Sequence, residues 1–245
     1  MKTAYISILI CSLFSLSFAG ISEPNNEIDI GQFSGMSQSD ITPLGWRPLV
    51  FGNIENHTAY FLTKQNERTV VQAVSNGGAS GFYKQTNISP KDFPMINWQW
   101  KVANILESAD LSKKEGDDYP ARIYISFYYD PERLEGMESV KYKLYSLLHD
   151  EPPPLAVINY IWDNKTKPDT IVSNAYSERV KMIVIQSGTS NLGKWLSEKR
   201  NIIDDYRRAF GEEPGNITGI AIMTDTDNTG ESATAWYGDI SLSRH

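Results

Sequence analysis

The chain has 245 residues, of which 22% are charged and 40% hydrophobic, and its formal net charge is −7. An acidic chain without a basic cluster excludes nucleic acid and anionic membrane surfaces as expected partners, since both are recognised through positive charge. Its single cysteine, Cys11, lies in the apolar N-terminal run. The rest of the chain therefore offers no disulfide, thiolate metal site or cysteine nucleophile.

The chain opens with Met1-Lys2-Thr3, continues with a mostly apolar run from Ala4 to Phe18, and reaches Ser17-Phe18-Ala19 before Gly20. A basic start, a short apolar stretch and small residues at −3 and −1 are the grammar of a secretory signal. The run is shorter than the roughly 20 residues a retained anchor needs. Residues 1–19 are thus expected to be a cleaved signal peptide, leaving a periplasmic or secreted protein with no membrane span. Residues 20–45 are expected to be a polar leader, and residues 46–245 one domain.

From Trp46 onward the pattern is mainly that of strands. Tyr60–Leu62, Thr69–Val74 and Gly81–Gln85 read as short strands, with Asn76-Gly77-Gly78 as a turn. In Ile96–Val102 strict alternation puts Ile96, Trp98, Trp100 and Val102 on one face and Asn97, Gln99 and Lys101 on the other. Arg122–Tyr129 alternates between Ile123, Ile125, Phe127, Tyr129 and Arg122, Tyr124, Ser126, Tyr128. Leu155–Trp162 and Val180–Gln186 suit central strands, and Ile217–Met223 and Thr234–Leu242 close the chain. Two segments have helical spacing. One runs from Trp195 through Lys199, Ile202, Ile203 and Tyr206 to Phe210, stopped by Gly211 and Pro214; the other runs from Glu138 to Leu148 and ends at Pro152. Many strands with few helices predict an all-β, antiparallel β-sandwich with one or two helical insertions.

Little in the chain points to a known catalytic motif. His57, His149 and His245 are scattered, and no HExxH, G-x-S-x-G or P-loop pattern occurs. Carboxylates are more informative: Asp117-Asp118 precede the Arg122 strand, Asp225 and Asp227 occupy the last hairpin loop, Asp204-Asp205 sit in the helical segment, and Asp239 sits in the last strand. Such groups serve as a glycosidase acid and nucleophile, as oxygen ligands for Ca²⁺, or as plain turn and cap residues. The loop Asp225-x-Asp227-x-Thr229-Gly230 matches the first half of a calcium loop, but its twelfth position is Trp236, so it is no EF-hand. Asp204 and Asp205 fall off the apolar helix face and are expected at the solvated surface.

Aromatic residues supply the other hint, because sugars stack their apolar C–H faces on rings while polar groups fix their hydroxyls. Tyr124, Tyr128, Tyr160 and Trp162 share a period-2 phase within their strands, close in sequence to Asp118 and Arg122. Neighbouring strands would bring them onto one face; the alternative is that Tyr160 and Trp162 are core residues. Trp98 and Trp100 read as core, and Trp195 as helix-to-sheet packing.

The set Gly116-Asp117-Asp118, Arg122-Ile123-Tyr124, Asn159-Tyr160-Ile161-Trp162, Asp204 to Gly211, Ile220 to Gly230 and Tyr237-Gly238-Asp239-Ile240 resembles the bacterial family catalogued as domain of unknown function 3047. That resemblance implies a bacterial, periplasmic or secreted protein and no particular activity. Tyr237-Gly238-Asp239-Ile240-Ser241-Leu242 is also similar to the last strand of galactose-binding-like jelly rolls, common as carbohydrate-binding modules. This second resemblance implies a jelly-roll-like sandwich in which Asp239 joins a calcium site with residues near the start of the domain.

The expected protein is an exported, non-catalytic domain binding a polysaccharide or oligosaccharide through Asp118, Arg122, Tyr124, Tyr160 and Trp162. Asp225, Asp227 and Asp239 are the candidate ligands for Ca²⁺. The alternatives are a carboxylate-dependent glycosidase using Asp118 with Asp225 or Asp227, and an envelope protein-interaction domain.

Overall fold

The computed structural model describes residues 26–37, 45–136, 138–140, 142 and 154–245. The expected signal, residues 1–19, and most of the second helical segment lie outside these. Thirteen strands occur among the described residues: β1 (Glu27–Gly31), β2 (Trp46–Leu49), β3 (Ala59–Gln65), β4 (Arg68–Asn76), β5 (Ala79–Ile88), β6 (Met95–Val102), β7 (Arg122–Phe127), β8 (Val157–Asp163), β9 (Ile171–Asn174), β10 (Ser177–Ser187), β11 (Leu196–Asn201), β12 (Ile217–Asp225) and β13 (Ser232–Ser243). A single full helix, α1 (Ile202–Phe210), stands among the described residues.

The strands form two sheets. A front sheet runs β11-β6-β13-β4-β3, with β1 also on β13; a back sheet runs β2-β5-β12-β7-β8-β10-β9. The molecule is a jelly-roll-like β-sandwich: the sandwich was expected from the alternation, and the jelly-roll form was implied by the resemblance of the last strand. One pair departs from the antiparallel rule: β10 lies parallel to β8. The chain passes from β8 to the outer edge as β9, then returns in a hairpin to fill the gap as β10, which sets β10 along β8.

Alternation decides which side chains meet between the sheets. From the front sheet come Leu62, Val71, Ala73, Trp98, Trp100, Tyr237 and Ile240; from the back sheet come Ile123, Ile125, Tyr160, Trp162, Ile183 and Ile222. Aromatic rings bridge the layers. Trp98 stacks on Tyr160 at 5.2 Å and Trp100 meets Trp162 at 5.9 Å. Rings of this size bury much apolar area and favour offset or tilted contact.

Two expectations change here. The helix does not begin near Trp195: Leu196–Asn201 is strand β11, paired antiparallel with β6 in the register Leu196 to Trp100 and Ser197 to Gln99. The pairing with β6 overrides the helical spacing, and helix starts only where Asn201 caps it, accepting from the backbone N–H of Ile203 and of Asp204. Gly211, at φ 74°, closes it in the left-handed conformation glycine adopts without strain. Part of the expected leader is built into the sandwich. β1 pairs with Ile240–Ser243 of β13, and Ile30, Phe33 and Met36 are buried in the core.

Candidate functional site

The expected site residues divide between the two faces of the back sheet. The register of β7 with β8 sets Ile123 opposite Tyr160, Tyr124 opposite Asn159 and Arg122 opposite Ile161. Ile123 faces the core, so Tyr160 and Trp162 do too, and both are fully buried. Tyr160 donates its hydroxyl to Asp205 Oδ2 at 2.8 Å, and Trp162 donates its indole N–H to Gly188 O at 3.2 Å. Neither ring can meet a ligand. Asp205 is also buried, held by Arg200 and Arg208, which corrects its expected surface position; Asp204 is exposed as expected.

Arg122 and Tyr124 occupy the opposite, outward side of β7 and do gather with the carboxylates. Arg122 is buried. Its Nε donates to Asp225 Oδ1 at 2.7 Å, its Nη2 pairs with Asp225 Oδ2 and donates to Asp117 O, and its Nη1 donates to Tyr124 Oη at 3.0 Å. The guanidinium also lies 4.4 Å from the centre of the Tyr119 ring. Burial works against the Arg122 charge, but Tyr124 and Asp117 outweigh it and raise the pKa. Asp118, also buried, accepts from the N–H of Asn228 at 3.3 Å and from the N–H and hydroxyl of Thr229 at 2.6 and 2.7 Å. It thereby ties the segment before β7 to the loop between β12 and β13.

Asp118, Asp225 and Asp227 each place an oxygen within 4.8 Å of the others. Oxygen donors of this kind suit a hard cation such as Ca²⁺. The donors around them argue otherwise: Arg122 already neutralises Asp225, and the 228–229 backbone already fills Asp118. The set fits a self-contained ion-pair network. Asp227 is its least compensated member, and burial, then Asp118, raises its pKa. Asp239 takes no part. Ser34 donates its N–H to Asp239 Oδ1 at 2.8 Å and its hydroxyl to Oδ2 at 2.5 Å. The start of the domain does meet Asp239, as the resemblance implied, but through a serine that supplies donors where a cation would supply charge.

A different surface has the makings of a ligand face: the solvent side of the front sheet. Register places Phe61 beside Gln72, Gln72 beside Trp236 and Trp236 beside Lys101. Trp195 immediately precedes the Leu196–Trp100 pair and so falls next to Lys101. Lys101 Nζ lies 4.1 Å from the centre of the Trp236 ring and 5.5 Å from that of Trp195. Cations are drawn to ring faces at such distances. Burial lowers the pKa of Lys101. The result is a row of alternating aromatic and polar side chains running from the start of β11 across β6, β13 and β4 to β3, about 19 Å at the usual strand spacing.

Beside this row lies a shallow groove of about 390 Å³ lined by Arg68, Asn97, Gln99, Ser197, Lys199 and Asp239, among others. The β3–β4 hairpin helps to shape it. Pairing of β4 with β13 ends at Val71, where β13 bulges between Tyr237 and Ile240. Beyond that point Gln65, at the hairpin end, accepts from Lys101 Nζ at 2.7 Å, and Arg68 lines the groove. The tip turns on Asn66 and Glu67, both at positive φ, 48° and 66°.

The model for the family described as "Protein of unknown function (DUF3047)" matches residues 44–241. The chain belongs to that family. No curated protein sequence matches it. Among solved structures, it is similar to the family 11 carbohydrate-binding module of the cellulosomal cellulase Lic26A-Cel5E of Clostridium thermocellum, at 10% identity and TM-score 0.41, over 88% of this chain and 93% of that one. The Clostridium thermocellum module in complex with a β-1,3-1,4-mixed-linked tetrasaccharide gives 10% identity and TM-score 0.42, over 88% and 94%. The potassium-bound carbohydrate recognition domain of Emp46p gives 11% identity and TM-score 0.38, over 88% and 95%. Likeness at this level leaves the ligand to be argued from the residues of this DUF3047 member.

The front-face residues were not singled out from the sequence as a site, though part of the signal was there. Asn97, Gln99 and Lys101 were already the outward phase of their strand. Trp236 stands in the phase opposite to the buried Ala235 and Tyr237, so its alternation marks it as an outward tryptophan. Trp195 was expected to pack a helix against the sheet; instead it stands beside Lys101 on the solvent face, because the residues after it form a strand.

Proposed function

We propose that this protein is an exported, non-catalytic domain that binds a polysaccharide or oligosaccharide on the solvent face of its front sheet. The observation that carries this reading is the row Trp195, Lys101, Trp236, Gln72 and Phe61 beside a groove of amide, hydroxyl and charged side chains. Rings offer apolar platforms for the C–H faces of sugars, and adjacent amides and hydroxyls fix the hydroxyl groups.

Export is supported by the signal grammar of residues 1–19, and no helix among the described residues is long and apolar enough to cross a membrane. The carboxylates speak against the glycosidase alternative, which pairs Asp118 with Asp225 or Asp227. A pair of catalytic carboxyls flanks the scissile bond across about 5–10 Å, whereas Asp118 and Asp225 are buried and engaged by Thr229 and Arg122. A protein-docking role would favour one broad apolar patch. The exposed large apolar side chains among the described residues are instead divided, with Phe61 and Val74 on the front sheet, Val50 and Tyr128 following strands of the back sheet, Tyr176 between β9 and β10, and Val140 outside both sheets.

The test is electrophoresis of the purified protein through native gels cast with a panel of polysaccharides, with calcium or with chelator. At least one polysaccharide is expected to retard the protein without being cleaved, and chelator should not abolish retardation. Trp236→Ala and Trp195→Ala should each weaken retardation about tenfold or more while melting like the wild type, in line with the cost of removing a central aromatic anchor. Unchanged retardation in both folded variants would move the site off this face, and cleared glycan would make the protein an enzyme.

A further inference from the structure

The charges on the front face narrow the ligand further, given the reading that this face binds a glycan. Three cations stand there: Arg68 and Lys199 in the groove, and Lys101 in the aromatic row beside it. None of the three closes an ion pair among the described residues. Two carboxylates also line the groove, and both are already engaged. Asp239 accepts from the N–H and hydroxyl of Ser34, and Glu198 turns inward to accept from Trp100 Nε1 at 3.2 Å and Gln186 Nε2 at 2.8 Å. Arg68, Lys101 and Lys199 thus stand without an ion-pair partner on the face that also presents aromatic platforms, beside two carboxylates whose oxygens are taken up by neutral donors.

Lys101 sharpens the point. Burial lowers its pKa, so its charge is partly stripped of water, and its partners among the described residues are the neutral Gln65 amide and two ring faces. The hydroxyls of a neutral sugar accept from the ammonium but bring no opposite charge to offset that desolvation. A carboxylate would supply the missing charge, and Arg68 in particular offers the planar fork that pairs with carboxylates in two-point fashion.

We infer that the ligand is an anionic polysaccharide whose sugars carry carboxylates, a uronic-acid polymer, with rings on Trp195 and Trp236 and carboxylates on Arg68, Lys101 and Lys199. The acidic remainder of the protein would repel such a polymer, so binding has to be local to this face and to weaken steeply with salt.

Native gels cast with polygalacturonate or alginate, each beside its carboxyl-reduced counterpart and beside poly-glutamate, test this. Retardation by at least one uronate polymer is expected, falling tenfold or more in its carboxyl-reduced form. The double variant Arg68→Gln/Lys199→Gln, exposed at both positions and checked by its melting curve, should lose retardation by a similar factor. Equal retardation by the reduced polymer, or tryptophan-dependent retardation by neutral glycans alone, would overturn the charge assignment while leaving glycan binding intact. Equal retardation by poly-glutamate would reduce it to ion exchange and overturn it. No retardation by any polysaccharide would overturn both this inference and the function on which it rests.

Discussion

Asp227 carries the clearest electrostatic tension among the described side chains. Its neighbours Asp118 and Asp225 have bound donors, while Asp227 has the Asn228 amide at 2.8 Å and the Asp118 charge nearby. Burial, then Asp118, raises its pKa above the usual aspartate value. The folded state thus holds this proton more tightly than the unfolded chain. Stability from this group is present below the unfolded value and is lost as pH rises through the folded one. Asp227→Asn removes the ionisation and is expected to raise the melting temperature at pH 7, with the gain shrinking toward pH 3.5. A lower melting temperature at pH 7 would mean that the charge is compensated by a cation, and a chelator that lowers the wild type to the level of the variant would then identify it. At this scale the sequence brought Asp225 and Asp227 together but chose the wrong third carboxylate: Asp118 meets them, while Asp239, expected with them, is held by Ser34 instead. It misplaced Tyr160 and Trp162 because a period-2 phase fixes faces within one strand only. Whether Tyr160 lines up with Tyr124 or with Ile123 is a matter of register between strands, and one residue of slip reverses every face.

Elements show the same limit in another form. The stretch from Trp195 to Phe210 has apolar residues at helical steps, yet 196–201 equally alternates Leu196, Glu198 and Arg200 against Ser197 and Lys199. Only the free edge of β6 decides between them, and that edge is a tertiary fact. The β3–β4 hairpin is a second case, where a two-residue turn shapes the groove. Both turn residues, Asn66 and Glu67, sit at positive φ, the geometry of the hairpin turn that favours Asn followed by Gly. Asn tolerates this conformation; Glu at φ 66° holds its Cβ against its own backbone. Glu67→Gly is expected to stabilise the protein by about 1 kcal/mol, the order of the left-handed penalty for a residue with a side chain. Urea denaturation reads it directly, and a loss of stability would mean that contacts of the Glu67 side chain outweigh the backbone strain.

At the scale of the molecule, the alternation of a few long strands was enough for the sandwich, because two apolar faces with polar reverses have few ways to be buried. The start of the domain was harder to see, since β1 is a five-residue strand in a polar segment. β13 explains why it belongs. This strand runs twelve residues down the middle of the front sheet, and β4 covers one of its edges only as far as Tyr237. From Ile240 to Ser243 the same edge is covered by β1. Without β1 that half of β13 would present unpaired N–H and C=O groups beside an apolar core, the kind of edge that recruits other chains. Ile30 and Phe33 add burial worth about 1.5–3 kcal/mol each. Phe33 packs on Trp46 with ring centres 5.3 Å apart, and Ser34 holds Asp239 at the groove. Domain stabilities are only about 5–15 kcal/mol, so a chain beginning at Trp46 is expected to melt far below one beginning at Gly20, or to aggregate. Circular-dichroism melts with size-exclusion chromatography compare the two. Equal melting with equal monomer content would mean that the front sheet closes without its first strand, and that Ser34 is not needed to hold Asp239 at the edge of the proposed glycan groove.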